Sequence, residues 1–161
     1  MRWKSHKLTT GAVVYAVTGS CLPTLMAILG SLVPDLLEMG IVRHRTFTHW
    51  PPPWIGFVVV SYGACWLSPK IWLYLCFYIC IGALLHLGED YLSITGIPFR
   101  SPGGPPRGAK LYSTGTTTET ILVLSITAPL MGFIWMRGFL SLRHLTEEMK
   151  KMYSLIALFW R

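Results

Sequence analysis

The chain reads as an all-α protein, a small integral membrane helical bundle, and three observations predict this. It is 52% hydrophobic and only 13% charged, well below the roughly 25% charge of an ordinary soluble domain. Its apolar residues gather into segments near 8–33, 54–67, 71–87 and 120–136. Its ionisable residues cluster at the ends of those segments instead of being dispersed over helix faces. A helix needs about 20 apolar residues to span a bilayer, so the two middle segments predict short membrane helices.

The first segment is interrupted at Thr18-Gly19-Ser20-Cys21-Leu22-Pro23, where Gly, Ser and Pro punctuate a helix. It predicts either one kinked spanning helix or an N-terminal hairpin with arms near 5–18 and 23–33. The hairpin is preferred, because it returns His6 and Asp35 to the same end. The basic start and short apolar run have the look of a signal peptide; the segment is expected to be retained, since cleavage would discard His6. Residues 88–119 contain "FRSPGGPPRGAK" and read as a loop. Thr116 and Glu119 have capping-box spacing, which starts the last apolar helix there.

The tail differs. Leu142, Leu145, Met149, Met152, Ile156 and Phe159 recur at three- and four-residue steps among Arg143, Glu147, Glu148, Lys150 and Lys151. That pattern predicts a C-terminal amphipathic helix, lying on a membrane or pairing with a second copy as a homo-oligomer. The chain therefore divides into a membrane-embedded domain, 1–137, and an amphipathic helix, 138–161. Cys21, Cys65, Cys76 and Cys80 lie in apolar stretches without a C-x-x-C pair and read as packing. The net charge of +7 is scattered in short basic groups with no nucleic-acid motif, so it points to lipid headgroups.

Ionisable residues near lipid cost several kcal/mol, so those present need a reason. "HLGEDYL" places His86 and Asp90 four apart, on one helix face, with Glu89 within the same turn. "HRTFTHW" supplies His44, Arg45 and His49, and Arg45 could hold a phosphate or carboxylate. Either stretch alone is equally compatible with capping a helix end. Together with His6, Asp35, Glu38 and Glu119 they can converge at one end of a bundle. Histidine and carboxylate ligands without thiols suit zinc, or manganese or iron in a more oxygen-rich site. More than four such ligands allow one or two ions, a device for phosphoester cleavage.

"LVPDLLE", "HRTFTHW" and "HLGEDYLSITGIPFRSP", following "SHKLTTG", resemble the YdjM family of predicted membrane-bound metal-dependent hydrolases. "TGTTTE" fits a later segment of the family pattern. The resemblance covers most of residues 5–119 and excludes the tail. It implies metal-site roles for His6, Asp35, His44, His49, His86 and Asp90, extending to Glu119, and a bacterial inner-membrane location. The sequence departs from the pattern at Leu37, where a second aspartate is expected, and at Glu38, where a histidine is expected. Glu38 can ligate; Leu37 cannot.

The expected function is a membrane-bound, metal-dependent hydrolase acting on a phosphoester of a lipid or lipid-linked substrate. Arg45 and Arg100 would bind phosphate, and Glu38, Glu89 or Glu119 would serve as general base. The alternative is a non-catalytic membrane protein whose structural metal site supports recruitment of a partner.

Overall fold

The computed structural model describes residues 1–38, 45–68 and 70–159, with side chains at 156, 158 and 159 excepted. Helix α1 spans Trp3–Thr18 and α2 spans Cys21–Gly30. Between them Gly19 adopts φ 61°, and its N–H closes on Tyr15 O at 2.8 Å. A left-handed residue after the last turn is the usual way to stop a helix, and glycine takes it without a Cβ clash. The chain therefore reverses at Gly19–Ser20, and α1 packs against α2 as the two arms of a hairpin.

A single turn, α3 (Val33–Leu36), carries Asp35, and a 3-10 turn at Phe47–His49 carries His49. Helix α4 (Pro51–Leu67) starts on its three prolines, where missing N–H groups are harmless. Helix α5 (Ile71–Tyr91) runs a turn beyond the apolar segment, so His86, Glu89 and Asp90 are helical and buried. Part of the expected loop is thus helix, because these polar side chains find partners inside the bundle.

A two-residue ribbon follows: β1 (Ile97–Pro98) pairs antiparallel with β2 (Pro106–Arg107), with Ile97 opposite Arg107. Helix α6 (Thr117–Met136) begins where the Thr116 spacing predicts, but without a capping-box bond. The Thr116 hydroxyl bonds Ser113 O instead, at 2.7 Å, and Glu119 receives the Gly115 N–H at 2.6 Å. Helix α7 (Leu142–Phe159) closes the chain.

Helix α5 lies between α2 and α4, and α1 lies between α2 and α6. The α2–α5 crossing is close because both helices present glycine. A Cβ on Gly30 would lie 2.0 Å from Ile79 O, and one on Gly82 would lie 1.9 Å from Ala27 O. Small residues that let backbones approach are a feature of helix packing in membranes. This crossing sets the height of His86 relative to α2, α3 and Asp35.

Beside a small apolar core, a group of ionisable residues is buried and many large apolar side chains are exposed. His6, Glu38, His49, His86, Glu89 and Asp90 are buried, whereas Val60, Trp66, Leu67, Leu124 and Trp135 are exposed. Ile71–Tyr91 and Thr117–Met136 are long and apolar enough to cross a membrane, and 22% of each apolar window is buried.

Candidate metal centre

Four segments deliver side chains to the same end of the bundle. His6 comes from the first turn of α1, Asp35 from α3, His49 from the 3-10 turn, and His86 and Asp90 from the last turns of α5. Two groups have ligand atoms within 4.8 Å of one another and could hold a metal ion: Asp35, His49 and His86, and His6, His86 and Asp90. They share His86. His44 lies outside the described residues.

Around His86 the spacing is that of a coordination shell. His49 Nε2 is 3.2 Å from His86 Nε2 and 3.3 Å from Asp35 Oδ1. His86 Nε2 is 3.6 Å from Asp35 Oδ1, and Asp90 Oδ2 is 3.6 Å and 3.8 Å from the His49 and His86 nitrogens. Ligands about 2.0–2.1 Å from a tetrahedral ion stand about 3.3–3.4 Å apart. The separations of 3.2–3.6 Å among Asp35, His49 and His86 are therefore near what one ion requires, with Asp90 Oδ2 3.6–3.8 Å from both imidazoles.

One unpaired nitrogen, His6 Nε2, bears on this reading. His6 Nε2 and His86 Nδ1 are buried with no hydrogen-bond partner among the described residues. His6 Nε2 faces Asp90 Oδ1 at 3.5 Å, and the His6 and His86 rings stack with centroids 3.9 Å apart. An unsatisfied buried polar atom costs about 1–3 kcal/mol, and a metal in contact with His6 Nε2 would remove that cost.

His49, His6 and Asp35 are each braced from behind, whereas His86 Nδ1 has no partner among the described residues. His49 Nδ1 pairs with Glu38 Oε1 at 2.9 Å, and Glu38 is itself held by the Thr48 hydroxyl and the Arg45 N–H. His6 Nδ1 pairs with Glu89 Oε2, while the Thr9 hydroxyl donates to Glu89 Oε1. A carboxylate on one ring nitrogen fixes the tautomer and aims the other nitrogen at a metal. Trp3 Nε1–H donates to Asp35 Oδ2 at 2.8 Å, leaving Oδ1 turned toward the histidines. Burial alone would raise the Asp35 pKa, but the His49 bond, the His86 charge and the Trp3 bond hold it at about 2. Burial likewise opposes ionisation of Glu38, yet the Thr48, Arg45 and His49 contacts keep it below the usual carboxylate range.

Arg45 sits at the edge of this cluster. Its Nη2 donates to Asp90 Oδ2 at 2.9 Å and its Nη1 to Gly96 O at 3.0 Å. Asp90 Oδ1 accepts from the Met1 amino nitrogen at 2.7 Å. Arg45 has φ 62°, a left-handed conformation costing a non-glycine residue about 1–3 kcal/mol when held. The Glu38 carboxylate on its N–H and Asp90 on its guanidinium hold it there.

The remaining site candidates lie farther out. Glu119 takes the Arg2 N–H at 2.8 Å and the Ser5 hydroxyl at 2.6 Å, which ties α6 to the start of α1. Arg100 is exposed on the loop after β1. Every carboxylate oxygen of Glu38, Glu89 and Glu119 accepts a hydrogen bond from the protein. The bracing residues Trp3, Thr9 and Thr48 were not anticipated from sequence. Trp3 and Thr9 did carry a signal, each standing three residues from His6 and so on its helix face.

Comparison with family models, with curated proteins and with solved structures gives no match. The site's own chemistry therefore carries the functional reading.

Proposed function

We propose that this chain is a multi-pass membrane protein and a metal-dependent hydrolase, acting on a phosphoester of a lipid or lipid-linked molecule. One observation carries the reading: the Nε2 atoms of His49 and His86 lie 3.2 Å apart inside a buried cluster, and each stands 3.3–3.8 Å from Asp35 Oδ1 and from Asp90 Oδ2. Asp35, His49, His86 and Asp90 would hold the ion, with His6 next to Asp90 as the start of a second position. Zinc suits this nitrogen–oxygen donor set best, and manganese or iron remain compatible with it.

A bound divalent ion would supply Lewis acidity toward a phosphoryl oxygen and toward water. The protein's own residues do the rest. Glu38 and Glu89 keep the Nε2 atoms of His49 and His6 turned inward, and Trp3 keeps Asp35 Oδ1 turned inward. Arg45, whose guanidinium lies at the edge of the cluster on Asp90, would pair with the phosphate of an incoming substrate through its planar fork of N–H donors. The apolar exterior of α5 and α6 supports a bilayer location, from which a lipid substrate would arrive laterally.

A structural metal in a non-catalytic scaffold is the competing reading. Leu37 favours it, being 55% exposed and without ligand atoms where the family pattern has aspartate. The assay that separates them is phosphate release from phospholipid and lipid-linked phosphates by detergent-solubilised protein, with and without chelator. The proposal predicts release that a chelator abolishes and added zinc or manganese restores. Metal-loaded protein that releases no phosphate from any of these substrates would favour the scaffold.

A further inference from the structure

We propose that α7 is an interfacial helix whose outward stripe enters the acyl–headgroup boundary of an anionic leaflet, an inference that rests on the membrane reading above. Its position is the first support. His144 Nε2–H donates to Gly19 O at 2.6 Å. Glu148 is buried and accepts from the Ser20 hydroxyl at 2.5 Å and the Cys21 N–H at 3.3 Å, satisfying the first turn of α2. Farther along, Leu155 lines a cavity with Cys65, Lys70, Ile71 and Tyr74. The helix thus crosses from the α1–α2 turn to the α4–α5 turn. That is the end where α5 begins and α6 finishes, about 20 Å along α1 from His6. In a bilayer this is the level of the headgroups.

The distribution of residues around α7 is the second support. At about 100° per residue, His144, Leu145, Glu148, Met152 and Leu155 fall in one sector and are buried or half-buried against the bundle. Leu142, Met149 and Tyr153 share an adjoining strip about 40° wide, yet they are 84%, 65% and 77% exposed. Arg143, Glu147, Lys150 and Lys151 occupy the remaining face and are exposed. A helix on a water-facing surface needs two faces, one for the core and one for solvent. This helix has three, and the apolar strip lies between the bundle and the cations, where an interfacial helix meets acyl chains.

Charge selects the leaflet. Lys150 and Lys151 pair with Glu147 and Glu148. Lys70, Arg137 and Arg143 are exposed at the same end and have no carboxylate partner among the described residues. Anionic headgroups complement such cations. The polar contacts at Gly19, Ser20 and Cys21 hold the helix against the bundle, leaving the strip and the cations facing the leaflet.

The test uses the full chain in phosphatidylcholine nanodiscs, with phosphatidylglycerol added stepwise and thermal unfolding recorded. Wild type is expected to gain stability with phosphatidylglycerol. Arg143→Gln should raise the fraction needed for half of that gain about fivefold, and Met149→Glu should abolish the gain. Both variants should unfold as wild type does in detergent, which shows that they fold. Equal responses of wild type and both variants would overturn the proposal. So would a wild-type dimer that Met149→Glu splits, which would give the strip to a second copy. Wild type that stays dispersed without detergent and does not enter nanodiscs would instead overturn the membrane reading itself, and α7's role with it.

Discussion

Glu38 and Glu89 stand in different elements, yet each holds a histidine by Nδ1 and each is braced by a threonine hydroxyl. Repetition of one arrangement around two ligands indicates a positioning role, in which the carboxylate raises ligand basicity and fixes ring direction. Glu38→Gln preserves an acceptor for the Nδ1–H but removes the charge, so metal affinity should fall about 10-fold. Glu38→Ala removes both and should approach about 100-fold. Competition with a chromophoric chelator reads these values without any substrate. Affinity unchanged in both variants, with turnover lost, would return Glu38 to the role of general base. At this scale the residues that meet around His86 were conspicuous in sequence, because histidines and carboxylates stand out in an apolar chain. The braces were less so, since Thr9, Thr48 and Trp3 are ordinary residues until the fold puts them behind a ligand.

Among elements, the α2–α5 crossing does most to locate the site, since α5 carries His86 and Asp90 past the segment that leads into Asp35. Gly82→Ala would set a methyl 1.9 Å from the Ala27 carbonyl oxygen, so the two backbones must separate. Overpacking of this kind costs about 1–3 kcal/mol, which for a chain this size lowers the melting temperature by about 2–4 °C per kcal/mol. The same shift should weaken metal binding. Gly63, in α4 with open space at its Cβ, is the control; Gly63→Ala should leave both properties within about 1 kcal/mol of wild type. Melting and metal titration of the two variants in one detergent check this, and equal behaviour would contradict the close-packing account. The hairpin break was readable at Gly19, and the start of α6 was readable at Thr116. The α5 extension and the short ribbon were not. The apolar run ends at residue 87, so only the four-residue spacing of His86 and Asp90 hinted at helix beyond it, and two-residue strands leave no periodicity to read.

For the molecule as a whole, the organising fact is that a group of histidines and carboxylates is buried at one end while many large apolar side chains face outward. Exposed apolar side chains on helices long enough to cross a membrane are what the membrane proposal rests on. The interior cluster then needs compensation, because buried charges and lone pairs are costly without partners. Arg45 offsets part of the acidic charge on Asp90, and a divalent ion beside Asp90 would engage His6 Nε2, which has no hydrogen-bond partner among the described residues. Metal measurement tests this most directly: elemental analysis of purified, detergent-solubilised wild type beside His49→Ala, each first stripped with chelator and then reloaded with zinc. The account predicts at least one tightly held zinc per wild-type chain and loss of that ion in His49→Ala, with the helical content of both retained. Wild type that holds no zinc, manganese or iron after reloading, or a His49→Ala variant that holds as much as wild type, would contradict it.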